Sequence, residues 1–169
     1  MPELECGFTD LEGASGSRRL AQVGPTLLVQ VNHDPEQWFG MPVQPALPTA
    51  TVSALIDTGT SDSSVDAMLA EELQLPLIVQ RTVSGVGGET SVNVYWAQLR
   101  VPALQIQFAG LLAGVHLNAG GQPHRALIGR DFLQHFTMIY EGRSGSVKIV
   151  SGRGSSSWFT RLSRLFAKR

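Results

Sequence analysis

The stretch Ala54-Leu55-Ile56-Asp57-Thr58-Gly59-Thr60-Ser61 puts an acid, a hydroxyl residue and a glycine directly behind apolar residues. An acid at the end of an apolar strand must leave the core through a tight turn. Gly59 permits that turn, and the hydroxyls of Thr58, Thr60 and Ser61 can bond the carboxylate or nearby backbone. A carboxylate held this way can take a proton from water or lend one to a carbonyl oxygen. An Asp-Thr-Gly turn with no chemical role obeys the same local rules, so this stretch alone leaves both readings open.

Holding such an acid requires strands around it, and the chain supplies them. Thr26 to Val31 reads as a first strand and Thr49 to Ile56 as the strand that delivers Asp57. Between them, His33 to Pro48 carries four prolines and one glycine and reads as a long loop. Val65 to Leu75 has a helical apolar face of Met68, Leu69, Leu73 and Leu75, closed by Pro76. Val79 to Val83 and Thr90 to Trp96 flank a glycine-rich turn as a hairpin, with alternation in Val92, Val94 and Trp96. Leu99 to Phe108 and Leu111 to Leu117 are expected as further strands. A short helix is expected within Leu127 to His135, then a last hairpin, Thr137 to Tyr140 and Ser146 to Val150, around Gly142 to Gly145. Residues 1–20 are mixed, with Gly13 to Ser17 reading as flexible. A weak internal echo links Leu55-Ile56-Asp57-Thr58-Gly59 with Leu127-Ile128-Gly129.

Three motifs in order carry a resemblance: Ala54 to Ser61, then Val83-Ser84-Gly85-Val86-Gly87-Gly88, then Ala126-Leu127-Ile128-Gly129-Arg130-Asp131-Phe132-Leu133. Together the chain resembles the retropepsin-like aspartic proteases, the family of the retroviral proteases and their cellular relatives. The resemblance covers roughly residues 22–150. It implies a mostly β, closed-barrel-like subunit with one helix after the catalytic loop and a short one after Gly129. It also implies a catalytic Asp57 supported by Thr58 and Gly59, and a substrate-covering flap tip formed by Val83 to Gly88. Leu127 and Ile128, expected chiefly as core, are also expected to shape the pocket wall. The domain reading is an N-terminal extension at 1–21, a protease domain at 22–150, and a linker with a basic tail at 151–169.

Amide hydrolysis by this route needs two carboxylates about 3 Å apart sharing one proton, because both cannot ionise so close together. The chain has no second Asp-Thr-Gly or Asp-Ser-Gly, and the echo at Gly129 lacks the acid. The second carboxylate is therefore expected from Asp57 of another copy, in a twofold homodimer acting on extended peptides. In the resembling family a hydroxyl at the position of Thr58 is buried and braces the two catalytic loops. An arginine matching Arg130 pairs there with an acid shortly after the catalytic one. Here that position holds Ser61 and the acid falls at Asp62, so Arg130 is expected to reach Asp62, Asp131 or a partner-chain group, or to face solvent. The competing reading is a retropepsin-like domain kept as a dimerisation or peptide-binding module without useful turnover.

Composition narrows the rest. The chain has 169 residues, 43% hydrophobic and 16% charged, with net charge −1, which suits one globular domain and gives no general argument for nucleic acid. Cys6 is the only cysteine, which excludes an intrachain disulfide. His33, His116, His124 and His135 lack metal-ligand spacing, so no metal and no cofactor are expected. The glycine-rich flap lacks the Lys-Ser/Thr pair of a phosphate cradle, and Gly142 to Ser146 is better explained as a turn than as a nucleophile elbow. The N-terminus has no apolar leader, and no stretch reaches the ~20 apolar residues of a spanning helix. The expectation is a cytoplasmic protein, peripheral at a membrane if its tail binds one. In that tail, Trp158, Phe159, Leu162, Leu165 and Phe166 share one helical face opposite several cations. Its expected seat is its own subunit, the dimer partner, an anionic membrane surface, a separate protein or the active-site cleft.

Overall fold

The computed structural model describes residues 3–34, 49–85, 88–151 and 158–160. The chain is mostly β. In order, the elements are β1 (Glu3–Glu5), α1 (Gly16–Val23), β2 (Thr26–Asn32), β3 (Ala50–Ile56), β4 (Ser64–Asp66), α2 (Ala67–Glu72), β5 (Leu77–Gly85) and β6 (Gly88–Val101). A single 3-10 turn (Pro102–Leu104) leads into β7 (Ile106–Val115). Then come β8 (Ala126–Ile128), α3 (Arg130–Leu133), β9 (Phe136–Glu141), β10 (Ser146–Ser151) and β11 (Trp158–Thr160).

The larger sheet runs β11-β7-β4-β8-β3-β2-β6-β5, and β6 also pairs with β7. That extra pairing makes the hydrogen bonding close on itself, from β7 through β4, β8, β3, β2 and β6 back to β7. Inward positions recur at every second residue, as the pleat demands. Val29 and Val31 of β2, Ala54 and Ile56 of β3, Leu99 and Val101 of β6, and Ala126 and Ile128 of β8 are all buried in one core. A smaller sheet of β1-β10-β9 sits beside it, with Val147 and Ile149 of β10 turned into the same core.

The sequence echo is a physical pairing. β3 and β8 run parallel with Leu55 opposite Leu127 and Ile56 opposite Ile128, so Asp57 emerges beside Gly129. The Asp57 amide donates to Ile128 O at 3.0 Å and extends the pairing one residue past the strand end.

Several expectations change in detail. The helix expected over Val65 to Leu75 spans Ala67–Glu72, because Ser64–Asp66 is taken by β4 and Asp66 caps the helix N-terminus. The breaks expected after Trp96 and Phe108 are absent: β6 runs through to Val101 and β7 through to Val115. The chain turns instead at Pro102, which cannot donate to a ladder, and Gln105, which takes a left-handed φ of 55°. The N-terminal extension is woven in, with β1 paired antiparallel to β10. Gly16, expected in a flexible stretch, opens α1 behind the Ser15 cap. Trp158 to Thr160, expected in a helix, form β11 in parallel register with Gln107 to Ala109. The remainder of the expected tail helix, and 35–48 of the proline-rich loop, lie outside the described residues. Among the described residues no helix is long and apolar enough to cross a membrane.

Candidate active site

Asp57 follows β3 directly and is half-buried, while Thr58 and Gly59 at the apex of the loop are exposed in the single chain. The Gly59 amide donates to Asp57 Oδ1 at 2.8 Å and orients the carboxylate. A Cβ on residue 59 would lie 3.0 Å from that same oxygen, so glycine keeps the space beside the acid open.

The loop is clamped by the segment after β8. The Arg130 amide donates to Thr60 O (3.1 Å) and the Asp131 amide to Ser61 O (3.0 Å). The Arg130 guanidinium adds Nη1 to Thr58 O at 2.6 Å and Nη2 to Ser61 Oγ at 2.9 Å. Arg130 thus stitches helix to loop as a fork, through the Thr58 carbonyl and the Ser61 hydroxyl. Asp62 lends its backbone carbonyl to Thr60 Oγ1 at 3.1 Å. Gly129 is required by proximity: a Cβ there would meet the Asp62 carbonyl carbon at 2.7 Å and the Ser63 nitrogen at 3.0 Å.

Beneath the loop is a buried pair that the sequence did not mark. Asp131 Oδ1 accepts from the Ser63 amide (3.0 Å), Ser63 Oγ (2.7 Å) and the Phe132 amide (2.9 Å). Ser63 Oγ in turn accepts from the Gly129 amide at 3.0 Å. Ser63 is fully buried and Asp131 only 6% exposed. The sole linear hint is an acid directly after Gly-Arg in a segment otherwise expected as core.

A cleft of about 420 Å³ opens against the loop that follows Asp57, and Asp57 itself is not among its lining residues. Its floor is Gly59 to Asp62 with Ser64, its roof is Arg81, Val83, Ser84 and Val94, and its wall is Phe108, Leu111, Ala113, Val115 and Leu127. Of the residues expected at the substrate, Val83, Ser84 and Leu127 line this cleft. Ile128 does not: strand alternation turns it fully into the core while Leu127 faces the cleft. Gly85 ends β5 and Gly88 begins β6; Val86 and Gly87 lie outside the described residues. Arg81 is a cleft residue that sequence reasoning missed.

Two supports stand behind the cleft. Asp66 is 1% exposed and accepts from the Leu69 amide (3.2 Å), the Asn118 amide (2.9 Å) and Arg125 Nη2 (3.2 Å). Burial pushes its carboxyl up, but the Asn118, Arg125 and Leu69 hydrogen bonds outweigh it and hold the group below the ordinary carboxylate value. Arg125 also forks onto Glu72 at 2.9 and 3.0 Å. His124, buried, shares a 2.8 Å hydrogen bond through Nε2 with Thr26 Oγ1, and burial lowers its pKa.

A ring of paired strands, a carboxylate at the end of one of them and a flap-like hairpin over a cleft define the class of retropepsin-like aspartic proteases. Residues 48–132 match the family model described as aspartyl protease, and the chain belongs to that family. Among solved structures it is similar to the simian foamy virus (mac) protease, at 14% identity over 64% of this chain and 91% of that one, with a TM-score of 0.41. It is also similar to the EIAV protease complexed with the inhibitor HBY-793, at 19% identity over 65% and 85%, with a TM-score of 0.41. No curated protein matches the chain.

Proposed function

We propose that this protein is an aspartic endopeptidase, active as a twofold homodimer, whose residues 22–150 form the catalytic domain and whose substrates are extended peptides. The observation that carries this reading is the pairing of β3 with β8: the acid at the end of one strand faces Gly129, not a second acid, at the end of the other. Asp131, two residues further on, is engaged by Ser63 and the Phe132 amide. One chain thus offers half of a dyad, at a loop whose apex is exposed.

In the dimer the two Asp57 carboxylates share one proton. The ionised carboxylate takes a proton from a water, whose oxygen attacks the scissile carbonyl carbon. The protonated carboxyl hydrogen-bonds the carbonyl oxygen as negative charge grows on it. Collapse of the tetrahedral centre breaks the C–N bond, and the departing nitrogen takes a proton from the dyad. The products are a carboxylic acid and an amine, with no covalent intermediate. Thr58 braces the two loops across the axis, Gly59 leaves room for the substrate, and the hairpin tip from Val83 to Gly88 closes over the peptide.

A peptide-library cleavage assay on wild type and Asp57→Asn tests this reading. Cleavage by wild type that Asp57→Asn abolishes, with the dimer still folded, supports it. Cleavage surviving the substitution overturns it. Binding of peptides without cleavage by either protein favours the peptide-binding module.

A further inference from the structure

Arg81 carries a consequence for substrate choice. It sits on β5 opposite Val92 of β6, and strand alternation gives it the same face as Val83. That face lines the cleft, and Arg81 is the only cation among the described residues that line it. The neighbouring Gln80 takes the opposite face, where its Nε2 donates to Asn93 Oδ1 at 2.9 Å. Arg81 is half-buried, and among the described residues it has no ion pair.

The cleft is polarised. The only acid among its described lining residues, Asp62, belongs to the loop after Asp57, while Arg81 belongs to the roof, and Phe108, Leu111 and Val115 give an apolar wall. A guanidinium partly withdrawn from water, with no carboxylate partner among the described residues, has its complement in a ligand carboxylate, which its planar fork can hold through two N–H donors. We propose that Arg81 is a specificity-determining residue that selects peptides bearing an Asp or Glu side chain at the position beneath the base of the flap. This inference rests on the protease reading and adds a substrate class to it.

The test uses peptides carrying Glu, Gln or Lys at one position at a time, compared within each variant. For wild type, kcat/KM for the best Glu peptide exceeds that of its Gln counterpart by about tenfold, the yield of one charge-assisted hydrogen bond. Arg81→Met removes the preference, and Arg81→Glu turns it toward Lys. A merely structural role for Arg81 lowers cleavage of all three peptides alike and leaves their ratios unchanged. Equal cleavage of Glu and Gln peptides at every position by wild type, or an acidic preference surviving in Arg81→Glu, overturns the proposal. Binding of the same fluorescent peptides to Asp57→Asn reads the preference without turnover. Failure of wild type to cleave any peptide therefore counts against the protease reading alone, and equal Glu and Gln binding counts against Arg81.

Discussion

Replacing Ser63 with alanine removes the hydroxyl that joins the catalytic loop to the segment after β8. Two bonds go together: Ser63 Oγ to Asp131 Oδ1 at 2.7 Å and the Gly129 amide to Ser63 Oγ at 3.0 Å. The first is a hydrogen bond to a carboxylate, worth about 1.5–3 kcal/mol, and the second leaves a buried N–H without its acceptor, at about 1–3 kcal/mol. The Asp131 carboxylate keeps the amides of Ser63 and Phe132, which limits the loss. Because the two bonds share one oxygen and the loop relaxes, the lower part of the summed range, about 3 kcal/mol, is expected. For a domain of this size that lowers Tm by roughly 6–12 °C. Urea unfolding read by tryptophan fluorescence measures the free energy, and calorimetry measures the Tm. A loss below about 0.5 kcal/mol for Ser63→Ala, the size of an ordinary surface change, would refute the reasoning.

Two further outcomes are expected. Arg130→Lys keeps the charge but loses the fork onto Thr58 O and Ser61 Oγ. Since Arg130 is exposed, Tm should move by no more than a few degrees while kcat falls at least about tenfold; equal loss of stability and activity would show that the fork serves folding alone. Acidification should weaken the fold in two stages. The folded pKa of His124 is lowered from 6.5 by burial, so its contribution is present above that value and is lost as pH falls below it. Asp66 is held below its ordinary 3.8, so its contribution is present above that value and is lost as pH falls through the folded pKa. Burial lowers the His33 pKa as well, so His124→Gln should shrink the first stage without abolishing it in a series of urea titrations across pH, and an unchanged profile would contradict the assignment.

How much of this was legible beforehand depends on the range of the interaction. The Asp57 turn and the Gly129 segment are local, and both stood out as apolar residues followed by a glycine-containing break. Their parallel pairing was foreshadowed by the echo between Leu55-Ile56 and Leu127-Ile128. Arg130 stood out only by its place after Gly129, because its partners depend on where the loop carbonyls point, and Thr58 O leaves no trace in sequence. The Ser63–Asp131 pair was hidden for the same reason: its members lie 68 residues apart, and neither type is unusual where it stands. Arg81 was hidden by register, because a shift between Leu77 and Val79 decides which face of β5 looks into the cleft. The strands expected at Thr90 to Trp96 and from Leu99 are one element, β6, whose polar Gln98 is buried within it. In the tail, the apolar spacing of Trp158 and Phe159 fits a helix, yet backbone pairing with β7 gives a strand.

The central claim is that one catalytic centre takes Asp57 from each of two chains. It is tested most directly by adding Asp57→Asn chain, after subunit exchange, to a fixed amount of wild type and measuring peptide cleavage. Random pairing predicts that activity falls to about half at equal amounts and continues toward zero with excess variant. Activity that stays constant at every ratio would mean that each chain works alone, and would contradict the shared site.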